Sequence, residues 1–128
     1  MKSDKPLMQP TIRARAMPSE TNPAGDIFGG WIMSQMDIAG EVASQLRAKG
    51  RVVTVAVAGM EFKQPVYVGD VVSFYTEIER IGRTSITIRI KAVAMRNKTG
   101  EHVSVTEGVF IYVALDENGQ KKPIPKEA

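Results

Sequence analysis

The stretch NPAGDIFGGWIMSQMDIAGE, Asn22–Glu41, predicts the one long helix around which the rest of this chain is organised. After Asp26 the apolar residues recur at three- and four-residue steps, the spacing of an amphipathic helix. Asp26 is the predicted N-cap, because its carboxylate can accept hydrogen bonds from the first free backbone N–H groups. Gly50 is the predicted end of the helix. The predicted apolar face comprises Phe28, Trp31, Ile32, Met36, Ala39, Val42, Ala43 and Leu46.

Beyond this helix the hydrophobic period changes from 3.6 to 2. Segments rich in Val, Ile, Thr and aromatic residues, which favour β-strands, lie at 51–62, 70–81, 84–96 and 102–115, with a short one at 11–17. Since no helical pattern separates the later segments, we expect consecutive strands to pair as an antiparallel meander. The predicted fold is α+β, with one long central helix wrapped by a curved antiparallel sheet of about five strands. A second copy of the chain is expected to cover part of it, giving a homodimer.

The 128 residues fit a single domain, predicted to span residues 11–116. Residues 1–10 are polar and contain two prolines, which predicts a flexible N-terminal tail. Residues 117–128 are predicted to be a polar and loose C-terminal tail. No apolar run has the length of a signal peptide or a membrane span. With no cysteine in the chain, this pattern favours a cytoplasmic protein.

Composition excludes or disfavours several classes of function. Without cysteine, thiolate zinc sites and cysteine nucleophiles are impossible. His102, the one histidine, begins a late strand without a Ser, Cys or metal-ligand partner at useful spacing, which disfavours a Ser-His-Asp hydrolase or a histidine-dependent dehydratase. The net charge of +3 comes from interleaved signs with 6% aromatics, which disfavours nucleic-acid binding. A small polyanionic ligand with a few phosphates fits better.

The glycine pair Gly29–Gly30 allows two interpretations. It is not a dinucleotide fingerprint, because the spacing is wrong and no βαβ unit surrounds it, and it is not a Walker loop. Free N–H groups at the positive end of a helix favour an oxygen that carries partial negative charge. Alternatively, the glycines allow the helix start to pack closely against a strand. The residues alone leave both interpretations open.

Asp37 is either a solvated surface acid or a working carboxylate. On a helical wheel it lies opposite the predicted apolar face and shares a stripe with Gly30, Met33 and Ser44, which favours the wall of a pocket over a solvent-washed face. At 1.5 Å per residue, Asp37 lies about 10 Å from Gly30 along the helix. That distance is too large for both to act on one carbonyl group, so cooperation would require the glycine of another chain.

Two further segments carry polar groups with open roles. Asn22 lies in a proline-bounded loop, where asparagine usually serves turn geometry, but its amide could also hold a water molecule or a substrate oxygen. The turn RIGRTS, residues 80–85, contains Arg83, Thr84 and Ser85. Arginine can grip a phosphate bidentately, and the alternative is a solvated turn.

The motif AMPSETNPAGDIFGGWIMSQMD, followed by RVVTVAV and PVYVGDVV, resembles the hot-dog-fold acyl-CoA thioesterases, and within them the bacterial YciA-type enzymes. The resemblance runs from about Arg13 to Asp116. It implies hydrolysis of acyl-CoA to a free acid and CoA, with no metal and no cofactor beyond the CoA moiety of the substrate. It also implies active sites at a dimer interface and, in many members, hexamers built as trimers of dimers.

The resemblance assigns catalytic roles to Asn22, to Asp37 as general base or nucleophile, and to Gly29 and Gly30 as oxyanion donors. The predicted substrate- or CoA-binding residues are Met33, Thr54, Lys63, Arg83, Thr84 and Ser85. An alternative from a different class is a non-catalytic acyl-CoA-binding hot-dog module. A nucleic-acid-binding β-domain is a more distant alternative, and no membrane partner is expected.

Overall fold

The computed structural model describes residues 9–127 and places one α-helix and five β-strands within them. The elements are β1 (Ile12–Arg15), α1 (Gly29–Ala48), β2 (Val52–Phe62), β3 (Val71–Ile81), β4 (Ser85–Met95) and β5 (His102–Ala114), with a short 3-10 turn at Pro18–Glu20. The strands form one antiparallel sheet. The predicted α+β class, with one long helix and five strands, is therefore confirmed.

The strand order, β1-β3-β4-β5-β2, differs from the predicted meander. β3, β4 and β5 do pair consecutively. However, β2 pairs with β5 at one edge of the sheet, and β1 pairs with β3 at the other. The prediction that β2 pairs with β3 is wrong because α1, which follows β1, carries the chain across the sheet before β2 begins.

The segment 63–70 returns the chain from the edge strand β2 to β3. Its backbone is bound at both ends, because the Lys63 N–H donates to the Val105 carbonyl at 2.8 Å and the Ile27 N–H donates to the Val66 carbonyl at 2.9 Å. Val66 is buried. At the end of the segment, the buried Asp70 accepts a 2.6 Å charged hydrogen bond from Arg96. These contacts bind the crossing segment to β5, to the loop that precedes α1 and to Arg96 after β4.

The helix packs on the sheet through a face that matches the predicted one in part. Its buried residues are Ile32, Met36, Ala39, Gly40, Ser44 and Ala48. Three members of the predicted apolar face are exposed, namely Phe28 (48%), Val42 (36%) and Leu46 (75%). Ile32, Met36 and Ala39 of the predicted face are buried as expected, and the other buried positions are the small residues Gly40, Ser44 and Ala48. These small residues allow the close approach of the helix to the sheet, and Val42 and Leu46 are left on its outer side.

The helix begins later than predicted, and Asp26 is not its N-cap. Phe28 occupies the N-cap position without a side-chain cap. Asp26 instead forms an isolated antiparallel bridge with Tyr67 of the crossing segment, so its backbone belongs to the loop that precedes the helix. At the other end, α1 stops at Ala48, two residues before Gly50, and Lys49 takes the left-handed conformation with φ 57°.

The C-terminal segment is bound to the domain, so the prediction of a loose tail is wrong for the described residues. The Lys122 N–H donates to the Ala114 carbonyl at 2.9 Å, and the Ile124 N–H donates to the Arg83 carbonyl at 2.8 Å. Arg47 of α1 donates a 2.6 Å hydrogen bond to the Pro125 carbonyl. Ile124 also packs against the core. Most of the predicted N-terminal tail, residues 1–8, lies outside the described residues, and the domain boundaries at 11 and 116 stay predictions.

Candidate active site

Asp37 lies in the middle of α1, half-buried, and is held by two hydroxyl groups. Thr54 of β2 donates a 2.6 Å hydrogen bond to Asp37 Oδ1. The hydroxyl of Tyr112 on β5 lies 3.0 Å from the same Oδ1 and 2.9 Å from the Asp37 backbone carbonyl oxygen. Within residues 9–127, no group donates a hydrogen bond to Asp37 Oδ2. We call Asp37, Thr54 and Tyr112 the Asp37 cluster.

Sheet register and helix packing explain why these three residues meet. Thr54 and Tyr112 are directly paired on the neighbouring strands β2 and β5, so their side chains leave the same face of the sheet. Gly40, one turn after Asp37, lets the helix approach that face. A Cβ at Gly40 would overlap the Tyr112 hydroxyl and would lie 2.7 Å from Ile90 Cδ1.

The environment of Tyr112 keeps its hydroxyl protonated. The residue is fully buried, and this burial is the main cause that raises its pKa well above the usual value. The negative charge of Asp37 and the hydrogen bond to it raise the pKa further. Tyr112 is therefore a hydrogen-bond donor to the carboxylate over the whole range in which enzymes work.

The start of α1 presents free backbone donors. The N–H groups of Gly29 and Gly30 precede the first helical hydrogen bond, and among the described residues neither has an acceptor. The two glycines differ in their surroundings. A Cβ at Gly29 would lie 3.3 Å from Phe62 Cζ, whereas a Cβ at Gly30 would meet nothing within 4 Å. The close-packing interpretation thus fits Gly29, and Gly30 is open to an approaching ligand.

Asn22 serves the turn, and its amide nitrogen remains available. Its Oδ1 accepts hydrogen bonds from the backbone N–H groups of Ala24 (2.9 Å) and Asp26 (3.1 Å). This pattern fixes the orientation of the amide, since only the oxygen can accept. In the part of the chain that the structure describes, the Nδ2 group has no acceptor. The side chain can therefore offer a donor to a ligand.

Asn22 shares a surface depression with Gly29 and Lys63. The depression has a volume of about 310 Å³, and we call it the helix-start depression. It is lined by Asn22, Asp26, Ile27, Gly29, Phe62, Lys63, Gln64 and Pro65. Asp37 does not line it. Three of the predicted site residues are thus brought together here, separately from the predicted catalytic carboxylate.

The predicted phosphate-binding turn lies at the opposite end of the strands from Lys63. Arg83 and Thr84 connect β3 to β4, and Ser85 begins β4 in register with Val113 of β5. Val113 also pairs with Val53 at the start of β2. Lys63 follows the far end of the same strand, and strands rise about 3.3 Å per residue. Within one chain, Arg83–Ser85 therefore lie at the end of the sheet that carries Thr54 and Tyr112, with the Ser85 side chain on the opposite face, and Lys63 lies at the other end.

The remaining candidates take less specific positions. Met33 is 38% exposed, one helical turn before Asp37. Ser44, which shares the Asp37 stripe of the helix as predicted, is buried. His102 is exposed at the start of β5, as predicted.

Over residues 9–127, no cluster of three His, Cys, Asp or Glu side chains could hold a metal ion. No helix among them is long and apolar enough to cross a membrane.

Sequence reasoning missed Tyr112 and Gly40. A glycine inside a helix costs about 0.5–1 kcal/mol relative to alanine, and this cost is a signal of close packing. A tyrosine in a strand that is otherwise apolar also signals a buried hydroxyl with a partner. Neither signal identifies Asp37 as the partner of the Tyr112 hydroxyl, because that contact depends on the pairing of β2 with β5.

One long helix packed on a curved five-stranded antiparallel sheet, with a carboxylate in the helix and free N–H groups at its start, defines a hot-dog-fold thioesterase. The profile of the Thioesterase superfamily matches residues 24–101, which is more than half of the chain. The chain belongs to this superfamily and, within it, to the group of the YciA acyl-CoA thioester hydrolases.

Individual relatives agree with this assignment. The acyl-CoA thioester hydrolase YciA of Salmonella typhimurium is 49% identical over 117 residues, which cover 89% of this chain and 88% of that protein. The hexameric thioesterase y2039 from Yersinia pestis superposes with a TM-score of 0.90 at 46% identity, covering 96% of this chain and 100% of that one. Cj0915, a hexameric hotdog fold thioesterase of Campylobacter jejuni, gives 0.87 at 41% identity over 91% and 90% of the two chains.

Proposed function

We propose that this protein hydrolyses acyl-CoA thioesters and that Asp37 is its catalytic carboxylate. The observation that carries the assignment is the Asp37 cluster, in which two hydroxyls occupy Oδ1 while Oδ2 has no partner within residues 9–127. As general base, Oδ2 takes a proton from water, whose oxygen bonds to the thioester carbon. The carbon–sulfur bond then breaks, and the CoA sulfur leaves and takes a proton. As nucleophile, Oδ2 attacks the carbon directly; the carbon–sulfur bond breaks, the CoA sulfur leaves and takes a proton, and water cleaves the resulting anhydride to the free acid and the Asp37 carboxylate.

The start of α1 supplies the group that stabilises the growing negative charge on the thioester oxygen. The Gly30 N–H is the preferred donor, because the space around this glycine is open, while Gly29 packs against Phe62. The positive end of the helix dipole adds to the effect. Loss of one such donor typically costs about 3 kcal/mol of barrier. Among substitutions, only proline removes the backbone N–H.

Each active site combines two chains. Gly30 and Asp37 lie on one straight helix, about 10 Å apart, and Asp37 does not line the helix-start depression. The edge strand β2 has a free side and carries Val53, Val55 and Val57, which are 39%, 55% and 42% exposed. We infer that a second copy pairs along this edge and brings its Asn22 and Gly30 to Asp37. Trimers of such dimers would give a hexamer, the assembly named for Cj0915 and y2039.

In this arrangement, the Asn22 Nδ2 group positions the attacking water or the acyl carbonyl. Arg83, Thr84 and Ser85, which lie at the same end of the sheet as Thr54 and Tyr112, contact the CoA phosphates, and Met33 lines the acyl path. Lys63, which shares the helix-start depression with Asn22, contributes a positive charge from the other chain. Thr54 acts through its bond to Asp37. The absence of a required metal or cofactor and the cytoplasmic location stay predictions.

The release of free thiol from a panel of acyl-CoAs tests this function. Wild type is expected to release CoA, and Asp37→Ala is expected to lose a factor on the order of 10²–10⁴ in kcat. Glu41→Gln is the matched control, because Glu41 is an exposed carboxylate one turn further along α1. Equal rates for wild type and Asp37→Ala would remove Asp37 from the mechanism. Tight binding of acyl-CoA with no thiol release from wild type would instead indicate a non-catalytic binding module.

A further inference from the structure

We infer that Tyr112 is a positioning residue that orients the carboxylate of Asp37 for catalysis. The inference rests on the proposed role of Asp37 and adds to it a residue with no contact to the substrate.

The contacts of the Tyr112 hydroxyl tie the side chain of Asp37 to its own backbone. The hydroxyl lies 2.9 Å from the Asp37 carbonyl oxygen and 3.0 Å from Asp37 Oδ1. The carbonyl belongs to the middle of a 20-residue helix and cannot move independently. A donor shared between this fixed oxygen and Oδ1 therefore restricts rotation of the carboxylate about both side-chain torsions.

The second hydroxyl completes the restriction. Thr54 lies opposite Tyr112 in the sheet register and donates to the same oxygen at 2.6 Å. Because both donors converge on Oδ1, the plane of the carboxylate is defined and Oδ2 is left as the reacting oxygen. The register shifts between Thr54 and Ala56, immediately after this pair. Irregularities of this kind often occur beside active sites, where they direct a side chain.

The position of Tyr112 is itself fixed. The residue is fully buried, its ring stacks on Phe110 at 6.5 Å between centroids, and its hydroxyl fills the space over Gly40. A donor held this firmly gives its acceptor a defined orientation. Since its pKa is raised by burial and by Asp37, it also stays protonated, so it orients the carboxylate without exchanging a proton with it.

A purely structural role is the competing explanation, in which the hydroxyl only satisfies a buried carbonyl. Tyr112→Phe distinguishes the two, because it removes the hydroxyl and keeps the ring. If Tyr112 orients the Asp37 carboxylate, Tyr112→Phe should lower kcat about tenfold or more, since a small misplacement of a reacting group can lower the rate up to about 100-fold. KM should stay within about threefold. Tyr75→Phe is the matched control, because Tyr75 is a half-buried tyrosine on β3 without a contact to Asp37.

Tyr112→Phe is also tested in the Asp37→Asn variant. The remaining rate of thioester hydrolysis in this variant is measured under single-turnover conditions, with enzyme in excess over acyl-CoA. If Tyr112 acts through the carboxylate, Tyr112→Phe changes this rate by less than about twofold. An unchanged kcat in the wild-type background, or an equal fold-loss in both backgrounds, would overturn the positioning role while leaving the proposed function intact. Full activity of Asp37→Asn would instead remove Asp37 from the mechanism, and no thiol release from wild type would overturn the proposed function itself.

Discussion

The hydroxyl of Tyr112 occupies the space that a side chain at Gly40 would need, and this contact sets how closely α1 lies on β5. The close approach places the Asp37 carbonyl within 2.9 Å of the same hydroxyl. Packing of the helix and geometry of the candidate catalytic carboxylate therefore depend on one glycine.

Gly40→Ala should destabilise the fold, because its Cβ would overlap the Tyr112 hydroxyl and would lie 2.7 Å from Ile90 Cδ1. Overpacking of a core typically costs about 1–3 kcal/mol, more than alanine gains in helix propensity. Urea unfolding at fixed protein concentration measures the effect. Gly30→Ala is the matched control, since a Cβ there would meet nothing within 4 Å, and its stability should not fall. Equal stability of Gly40→Ala and wild type would contradict the close packing.

Thr54→Val should lower kcat by a factor on the order of 10, because it removes the 2.6 Å hydrogen bond to Asp37 Oδ1 and leaves the reacting group less well positioned. Valine preserves the shape of threonine, so the sheet should be little changed. Thr54→Ser keeps the hydroxyl and should retain most of the activity in the thiol-release assay. If Thr54→Ser and Thr54→Val lost equal activity, the methyl group of Thr54 and not its hydroxyl would be the important feature.

Asp70→Asn should cost about 3 kcal/mol of unfolding free energy, because it leaves Arg96 without its partner in a buried ion pair. The side chains of Arg96 and Asp70 are only 15% and 3% exposed. The Arg89–Glu79 pair has the same 2.6 Å length but is 41% and 34% exposed. Glu79→Gln should therefore cost no more than about 1 kcal/mol. Similar losses for the two variants in urea unfolding would show that burial does not decide the strength of these pairs.

Stability should fall above pH 10 in a way that depends on Tyr112. Its pKa is raised in the folded protein, so above the unfolded value of about 10 the unfolded chain loses a proton that the folded chain keeps. The unfolding free energy then decreases with pH by up to about 1.4 kcal/mol per pH unit for this one group. Tyr112→Phe should show a shallower decrease in urea unfolding between pH 9 and 11. Parallel pH profiles for the two proteins would contradict the raised pKa.

Local sequence patterns were sufficient for the elements and for the family. The strand segments predicted after residue 50 correspond to β2, β3, β4 and β5, because alternation and β-branched residues act over a few residues. The glycine-rich helix start and Asp37 were recognised from one motif. Its family assignment is confirmed, whereas the roles of its residues stay proposals.

Features that depend on long-range pairing were not predictable in the same way. β2 lies at the edge because α1 carries the chain across the sheet, and the crossing segment 63–70 then returns it to β3 through contacts with β5 and with the loop that precedes α1. The buried face of α1 was wrong for Leu46 because hydrophobicity does not report which side a tight packing contact selects. Tyr112 meets Asp37 across 75 residues, and only the register of β2 with β5 reveals that contact.

Each proposed active site takes Asp37 from one chain and Asn22 from another, and mixed oligomers can show this sharing. Asn22→Ala and Asp37→Ala proteins, each nearly inactive alone, are unfolded and refolded together in equal amounts. Random assembly should restore about a quarter of wild-type thiol release, because one chain keeps Asp37 and its neighbour keeps Asn22 at one site in four. Refolding Asn22→Ala with the double variant Asn22→Ala/Asp37→Ala is the control and should restore nothing. Activity of the mixture no higher than that of the separate variants would contradict a site shared between chains.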